Sequence, residues 1–387
     1  MNILFLTNLY PNVSSGGIER VTKKLSSFFK EQGCQSFNLF LHGNMPMKDK
    51  DMSFAKVERI DLDNFFNEKL RTFIINEKID ILINQGNFYL TPRINVSIQD
   101  TSCHIITAFH SNPVFNPLSV SEGISETNSI IKKIFIFLFY PIYASKSMNK
   151  LKNIHKTSYQ LSDRTILLSN SYITDYQEKL GLENTKRIRV IANPLSFDIV
   201  QQNNTKKEKI VLIVARLYEK QKRLSLSLKI WGKIEIQIPD WKLVIVGSGP
   251  DKSYYQKMIK HLKLKNVFLE NAQDPYPYYQ KASLFLMTSK FEGFGLTLTE
   301  CLQTGVVPIV MDSFSSLHDI IINDYNGIIV TYQDLDQTAA ALIKLIQDEP
   351  YRLRLATNGE KSINKFSLSH IGKKWIELFN EIIDNKK

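Results

Sequence analysis

Short apolar runs alternate with segments of helical periodicity along almost the whole chain. The first run, Ile3–Leu6, precedes a segment in which Ile18, Val21, Leu25 and Phe29 recur on one helical face. Alternation of this kind is typical of a parallel β-sheet that is covered by helices. The pattern therefore predicts an α/β fold.

The predicted strands fall into two groups, separated by the polar segment Ser196–Glu208. The first group comprises Ile3–Leu6, Phe37–Leu41, Ile79–Asn84, Ser102–Phe109, Arg164–Leu168 and Ile188–Ile191. The second comprises Ile210–Ala215, Lys242–Val246, Val267–Glu270, Leu284–Thr288 and Val306–Met311. We expect two doubly wound Rossmann-like domains, residues 1–197 and 198–372, whose parallel sheets face a central cleft. Residues 373–387 predict a terminal helix that packs on its own domain or crosses back to the first one.

The composition of the chain excludes few functions. The net charge of +11 suits a nucleic acid, an anionic membrane or a phosphorylated substrate. Cys34, Cys103 and Cys301 lie far apart without ligand spacing, so we expect reduced thiols and neither a disulfide framework nor a zinc site. The first residues carry no basic leader, which argues against a signal peptide and favours a cytoplasmic protein.

The strongest candidate site follows the predicted strand Leu284–Thr288. A Gly-Phe-Gly turn that ends at Gly295 lies between Glu292 and Glu300, and a helix is predicted to begin near Leu296. The glycines allow close backbone approach, and the first N–H groups of the helix favour a phosphate. Two carboxylates beside that phosphate would suit hydroxyl groups on either side of a diphosphate. A tight turn with two solvated carboxylates is the alternative.

Two cations follow the predicted strand Ile210–Ala215. Arg216 stands at its carboxyl end, and Lys222 stands at the start of the next predicted helix. Cations in that place stabilise the negative charge that grows on a leaving diphosphate. The alternative is a solvated basic loop, which we favour for Lys220 and Arg223.

Two weaker candidates lie in the first predicted domain. Gly16 and Gly17 form a pair that permits close backbone approach, although such pairs are more often only turns. His110 ends the predicted strand Ser102–Phe109, where a lone histidine is either functional or structural. The sequence shows no paired aspartates and no His/Asp cluster that would demand a metal.

These motifs together resemble the retaining glycosyltransferases of family 4, which have the GT-B fold. The resemblance spans most of the chain and is firmest over 209–327. It rests on the Glu292-x7-Glu300 element, Arg216 followed by Lys222, and the segments Val246–Pro250, Gly305–Pro308 and Val190–Pro194. The chain departs from the family pattern at Ala215 and Arg223, where the family often has glycine.

The resemblance implies a role for each candidate residue. Glu292 would contact hydroxyls of the donor sugar beside His110, and Glu300 would contact the ribose. Gly17 would approach the phosphates, and the nucleobase would lie near Ala272. The diphosphate would be held by Arg216 and Lys222 and by the main-chain N–H groups of Gly295, Leu296 and Thr297. Gly293 and Phe294 would also belong to the donor-binding site.

The implied reaction is the transfer of a hexose or N-acetylhexosamine, with retention, from a nucleotide sugar to a growing surface glycan. That glycan would be a capsule, a lipopolysaccharide or a lipid-linked oligosaccharide, and UDP is the donor base favoured by family frequency. Attack would come from the front face, and the departing phosphate would help to take the acceptor's proton. No cofactor and no metal are expected, because Arg216, Lys222 and the helix dipole supply the positive charge.

Residues 130–164 hold seven Lys/Arg and one acidic residue around the apolar run 134–144. Such a segment can lie on an anionic membrane surface, although the run is too short to cross a bilayer. A buried helix with a solvated cationic flank is the alternative. We therefore expect a cytoplasmic protein that is either free or peripheral at the inner face of the cell membrane.

Two other functions compete with glycosyl transfer. A nucleotide-sugar epimerase would keep the fold and the donor but change the reaction. A non-catalytic glycan- or nucleic-acid-binding protein would suit the positive charge. Nucleic acid is not an expected partner, because basic and aromatic residues do not cluster on one element and no nucleic-acid motif is present.

Overall fold

The computed structural model describes residues 1–11, 16–45, 53–110, 140–197 and 206–384. The chain divides into two compact units. Unit 1 comprises Met1–Ala192 and Ile371–Lys387, and unit 2 comprises Asn193–His370. The first boundary therefore lies at residue 192 and not at residue 197, and the second lies at residue 370 and not at residue 372. The earlier first boundary has a physical reason, because the N–H of Leu195 already donates to the carbonyl of Phe366 at 2.9 Å.

Unit 1 is built on a seven-stranded parallel sheet with the order β3-β2-β1-β4-β5-β6-β7. Its strands are β1 (Asn2–Leu9), β2 (Gln35–His42), β3 (Lys56–Arg59), β4 (Ile81–Gln85), β5 (His104–Ala108), β6 (Arg164–Leu167) and β7 (Ile188–Val190). Its first helices are α1 (Gly17–Glu31), α2 (Phe66–Asn76), α3 (Thr91–Ser97), α4 (Tyr140–Leu161) and α5 (Ser171–Leu180). The central strands β4 and β5 are buried along their whole length, as parallel strands covered on both faces usually are.

Unit 2 is built on a six-stranded parallel sheet with the order β10-β9-β8-β11-β12-β13. Its strands are β8 (Ile210–Val214), β9 (Lys242–Val246), β10 (Val267–Glu270), β11 (Leu284–Met287), β12 (Val307–Asp312) and β13 (Ile328–Thr331). Its helices are α6 (Glu219–Lys222), α7 (Leu224–Ile234), α8 (Lys252–His261), α9 (Tyr276–Lys281), α10 (Leu296–Gln303), α11 (Leu317–Ile320), α12 (Leu335–Gln347) and α13 (Glu349–Ser362). A core that includes the fully buried Trp231 of α7 covers one face of this sheet.

The last helix, α14 (Leu368–Asp384), begins in unit 2 and packs in unit 1. Its Phe379 ring lies 5.2 Å from the Phe29 ring of α1, measured between centroids. Glu381 accepts a hydrogen bond from Arg164 of β6 at 2.8 Å and pairs with Arg189 of β7. These contacts show that the apolar face of α14 packs in unit 1. The sequence alone did not decide between the two domains.

The prediction of two doubly wound parallel sheets is confirmed. Two edge strands, β3 and β13, were not predicted from the sequence. Three of the four residues of β3 are charged, and charge on an edge strand discourages pairing with another chain. The predicted linker lies outside the described residues at 198–205, and the predicted membrane segment does so at 130–139.

Both sheets reverse their winding direction between the first strand and the fourth. In unit 1 this point lies between β1 and β4, and in unit 2 it lies between β8 and β11. Ligands of doubly wound sheets bind outside the carboxyl ends of the strands at this point. The topology therefore predicts ligand contacts at the loops that follow β1 and β4 in unit 1 and at those that follow β8 and β11 in unit 2.

Candidate active site

The loops that follow β8 and β11 bring together residues that are far apart in the sequence. Arg216 and Lys222 follow β8, whereas Ser289 and Glu292 follow β11. The two strands are neighbours in the sheet, with Leu284 paired to Val211. A cavity at their carboxyl ends is lined by Lys222, Ser289 and Glu292 among others, whereas Arg216 is exposed on the same sheet edge beyond that lining.

Lys222 and Glu292 form a close ion pair. The Lys222 Nζ lies 2.6 Å from the Glu292 Oε1, and the hydroxyl of Ser289 donates to the same oxygen at 2.6 Å. The two charged side chains are only 16% and 10% exposed. Charges interact more strongly where water is largely excluded, so this pair differs from an ordinary surface salt bridge. The alternative of a solvated Glu292 is therefore wrong.

Glu300 is fully buried in α10, which also rules out a solvated carboxylate. The Tyr279 hydroxyl donates to its Oε2 at 3.0 Å. Tyr279 is itself fully buried in α9 and was not identified as a site residue from the sequence. The ribose contact assigned to Glu300 stays a prediction, and it requires the ribose to reach a carboxylate that the protein encloses.

The turn between the two carboxylates ends at Gly295, which is the N-cap of α10. Its φ of 94° lies in the left-handed region, where a side chain would be strained. The first turn of the helix begins with Leu296 and Thr297, whose N–H groups have no acceptor within the helix because of helix geometry. Both residues are half-buried. This helix end can therefore donate hydrogen bonds to an anion.

Lys222 is placed differently from the sequence prediction. It closes the single-turn helix α6 and does not begin the next helix, which starts at Leu224. Arg223 connects the two helices with a φ of 52°, the left-handed conformation that glycine adopts most easily. The prediction of a helix start at Lys222 is wrong because the left-handed residue interrupts the helical path.

The Val246–Pro250 turn packs closely against the backbone on either side of Arg216. A Cβ on Gly247 would lie 1.9 Å from the Ala215 carbonyl oxygen, and one on Gly249 would lie 2.4 Å from that of Leu217. Glycine is therefore required at both positions, because the two backbone segments approach each other closely. The N–H of Leu217 also donates to the carbonyl of Ser248 at 2.8 Å and joins the same two segments. Ala272, the predicted neighbour of the nucleobase, is exposed in the turn after β10.

The remaining candidates, Gly17 and His110, lie in unit 1. Gly17 is the first residue of α1, which follows β1. His110 stands two residues beyond β5, and its Nε2 bonds to the side-chain oxygen of Gln85, the fully buried last residue of β4. Glu19, in the first turn of α1, is a buried acid that sequence reasoning missed, and burial raises the pKa of its carboxyl group. The donor contacts assigned to Gly17 and His110 stay predictions.

Three further features of the described residues concern the cysteines, metal binding and membrane-spanning helices. Cys34, Cys103 and Cys301 are buried and form no disulfide. Within the described ranges, no three His, Cys, Asp or Glu side chains cluster in a way that could hold a metal ion. None of the helices in those ranges has both the length and the apolar character that crossing a bilayer requires.

Comparison with known proteins gives this site a chemical context. Residues 196–362 match the family model described as glycosyl transferases group 1. The match contains every unit 2 candidate residue named above. It covers the strands β8 to β13 and therefore the sheet edge on which the Lys222–Glu292 pair lies.

Two curated relatives each align with about three fifths of this chain. One is a Campylobacter jejuni alpha-1,4-N-acetyl-D-galactosaminyltransferase whose named acceptor is a saccharide on diphospho-undecaprenol; it is 26% identical over 232 residues, 59% of this chain and 63% of the relative. The other is the poly(glycerol-phosphate) alpha-glucosyltransferase of Bacillus subtilis, 27% identical over 239 residues, 61% of this chain and 35% of the relative. The chain thus aligns with less than two thirds of either relative. These likenesses support a glycosyltransferase.

A solved structure is similar over nearly the whole chain. It is that of Anabaena Alr3699/HepE in complex with UDP, with a TM-score of 0.76 and 14% sequence identity, covering 98% of this chain and 100% of that one. At this level of identity the likeness concerns the fold alone. The fold of the chain is therefore GT-B.

Proposed function

We propose that the protein is a retaining glycosyltransferase that moves a hexose or N-acetylhexosamine from a UDP-sugar to a growing surface glycan. The observation that carries the proposal is the Lys222–Glu292 pair beside the Gly295 helix end, at the point where the winding of the unit 2 sheet reverses. A nucleotide sugar joins an anionic diphosphate to a sugar rich in hydroxyls. A cation and a carboxylate 2.6 Å apart suit that junction.

The charges at the site match the charge that develops in the reaction. As the bond between the sugar carbon and the phosphate oxygen breaks, negative charge grows on the diphosphate. Lys222, Arg216 and the first N–H groups of α10 would stabilise that charge. Glu292 would accept hydrogen bonds from sugar hydroxyls and orient the reacting carbon.

Retention follows if the acceptor attacks from the face that the phosphate leaves. The acceptor oxygen forms the new bond to the sugar carbon, and its proton passes to the departing phosphate oxygen. This route needs positive charge more than it needs a separate base. We therefore propose a reaction without metal, and transfer rates measured in excess EDTA should equal those without it.

The donor and acceptor classes are proposed from the comparisons. The similar Anabaena structure contains UDP. The two relatives are named for transfer to a saccharide on diphospho-undecaprenol and to poly(glycerol-phosphate). These named acceptors, a lipid-linked saccharide and a glycerol-phosphate polymer, support a growing surface glycan as the acceptor proposed for this chain.

The proposal is tested by incubating the protein with a panel of UDP-, GDP- and ADP-sugars and measuring nucleotide release. Arg216→Ala should lower the rate about 100-fold, the usual effect of losing one group that stabilises developing charge. Glu292→Ala should lower it to a similar extent, about 100-fold, because the reacting carbon is then no longer oriented. Lys220→Ala, an exposed neighbour, serves as the matched control. Full activity in both site variants would show that the site is assigned wrongly. An epimeric nucleotide sugar as product, formed without acceptor, would identify an epimerase instead.

Retention is tested separately by the configuration of the product. The anomeric coupling constant of the transferred sugar, measured by proton NMR at the earliest time point, should match that of the donor. An inverted anomer would contradict the proposed front-face reaction while leaving the transferase assignment in place.

We also propose that α4 can lie against an anionic membrane surface. Lys146, Lys150 and Lys156 are exposed on this helix, whereas His155 and Tyr159 are buried. Each exposed cation would contribute about 1 kcal/mol near such a surface. Flotation with vesicles that contain anionic lipid should carry the protein upward at low salt, and Lys146→Glu with Lys150→Glu should abolish this. Absence of binding at every salt concentration would remove the proposal.

A further inference from the structure

The helix that carries Lys222 is too short to be stable by itself. It has one turn, Glu219–Lys222, and it is followed by Arg223 in the left-handed conformation with a φ of 52°. Forming a first helical turn is unfavourable because several dihedral angles are fixed for one hydrogen bond. The position of Lys222 must therefore be determined by contacts from outside its own helix.

Glu219 supplies one set of these contacts. Its carboxylate accepts hydrogen bonds from the Ser225 hydroxyl at 2.5 Å, from the Ser225 N–H at 3.2 Å and from the Tyr255 hydroxyl at 2.9 Å. Its own N–H donates to the Asp251 carboxylate at 2.7 Å. The Arg223 guanidinium also lies 3.7 Å from the Glu219 carboxylate. Glu219 thus ties α6 to the first turn of α7 and to α8.

Tyr255 is the deepest member of this network. Its side chain is fully buried in α8. Burial and the neighbouring Glu219 carboxylate raise the pKa of its phenol far above the usual value. The hydroxyl therefore stays protonated and donates to Glu219 over the whole physiological pH range.

A second set of contacts holds the same segment from the side of β11. The Thr288 hydroxyl lies 3.2 Å from the carbonyl oxygens of both Lys222 and Arg223 and shares its proton between them. The N–H of Lys290 donates to the carbonyl of Gln221 at 2.7 Å. The main chain at Lys222 is therefore held between the β11 loop and the Glu219 network.

We propose that Glu219 and Tyr255 are positioning residues for Lys222. They set the direction of the α6 turn, and through it the place where the Lys222 ammonium meets the diphosphate of the donor. This inference rests on the proposed function, because it assigns Lys222 to that diphosphate. It also accounts for Arg223, since the ion pair with Glu219 supports a residue in a conformation that favours glycine.

The test is a double-mutant cycle on the affinity for UDP, measured by isothermal titration calorimetry. Tyr255→Phe removes only the hydroxyl and should weaken UDP binding about tenfold, or ~1.4 kcal/mol, the contribution of one hydrogen bond to a charged group. Tyr254→Phe is the matched control, because Tyr254 is the adjacent residue and is 47% exposed. In a Lys222→Ala background, Tyr255→Phe should have almost no further effect.

The outcomes separate the two proposals. If Tyr255→Phe weakens UDP binding by the same factor with and without Lys222, Tyr255 supports the fold only, and the positioning inference is wrong while the proposed function stands. If the parent protein binds no nucleoside diphosphate, the proposed function fails and the inference fails with it. Should Tyr255→Phe not fold, Glu219→Gln replaces it in the same cycle, because that change keeps the shape and weakens the acceptor.

Discussion

Lys222 and Glu292 carry opposite charges in a part of unit 2 that is largely shielded from water. Removing either residue would leave the charge of the other buried without its ion-pair partner, which is energetically unfavourable. Only 16% of the Lys222 side chain and 10% of the Glu292 side chain are exposed. Taking a charge out of water is unfavourable unless a partner compensates it. The stability of the fold and the proposed chemistry of the site therefore both depend on the contact between the Lys222 Nζ and the Glu292 Oε1.

Lys222→Ala should lower the free energy of unfolding by about 2–3 kcal/mol, because it leaves the Glu292 carboxylate buried without its cation. The double variant Lys222→Met with Glu292→Gln should recover most of that loss, since neither residue is then charged. Urea unfolding followed by circular dichroism measures both. Lys209→Ala is the control, because its pair with Asp240 is 61% and 74% exposed, and the expected change is small. Equal losses in the single and double variants would contradict the argument.

Lys207 offers a second test at the level of a single residue. Its ammonium donates to the carbonyls of Thr304 at 2.6 Å and Tyr279 at 3.0 Å, and burial lowers its pKa from 10.5 to about 8. Between pH 8 and pH 10.5 the unfolded chain therefore holds more protons at this residue than the folded chain. Stability consequently rises with pH over that window.

The free energy of unfolding of the parent, minus that of Lys207→Met, should thus increase from pH 8 to pH 10.5. The increase should be about 2–3 kcal/mol. Lys206→Met, at the exposed neighbouring position, controls for the exchange of a lysine for methionine in this segment. Parallel pH curves for the parent and Lys207→Met would show that the Lys207 ammonium is not destabilised by burial.

At the scale of the element, α14 and α1 pack as closely as a glycine permits. A Cβ on Gly372 would lie 2.3 Å from the Phe28 ring, and Phe28 is itself buried. The helix can therefore approach α1 only where it has no side chain. This approach also brings the rings of Phe29 and Phe379 together.

Gly372→Ala should destabilise unit 1 by about 1–3 kcal/mol through overpacking, although alanine favours the helix itself. Gly232→Ala in α7 is the matched control, because its Cβ would meet only the flexible end of Leu264 at 3.3 Å. Thermal unfolding monitored by circular dichroism compares the two. A Gly372→Ala protein as stable as the control would show that α14 does not pack on Phe28 as described.

The elements differ in how far the sequence predicts them. β8 and β11 are apolar runs between polar turns, so their pattern identifies them, whereas the charged edge strand β3 has no such pattern. Glu292 and Lys222 could be proposed as site residues from their motifs. Their contact could not, because 70 residues separate them and only the β8/β11 pairing brings them together. Tyr255 has no distinctive spacing in α8, so its bond to Glu219 becomes visible only in three dimensions.

On the scale of the whole molecule, the chain contributes to unit 1 at both ends. Residues 371–384 follow the whole of unit 2 in sequence but pack in unit 1. Phe379 is fully buried there, and Glu381 is paired with Arg164 and Arg189. The integrity of unit 1 therefore depends on a segment that follows unit 2.

Deletion of residues 371–384 should expose the apolar surface of α1 and loosen unit 1. Hydrogen exchange should increase more in β1 and β4 than in β8 and β11, because the deleted segment belongs to unit 1. Exchange followed by mass spectrometry resolves these strands. An equal increase in both units, or none in unit 1, would contradict the assignment of α14 to unit 1.

In the proposed function, the sheet edge between β8 and β11 holds the diphosphate of a nucleotide-sugar donor. A crystal structure of the protein with UDP tests this placement. We expect a phosphate oxygen within hydrogen-bonding distance of the Lys222 Nζ and of the main-chain N–H of Leu296 or Thr297 at the start of α10. UDP bound elsewhere on the protein, with the Lys222–Glu292 pair unchanged, would contradict it.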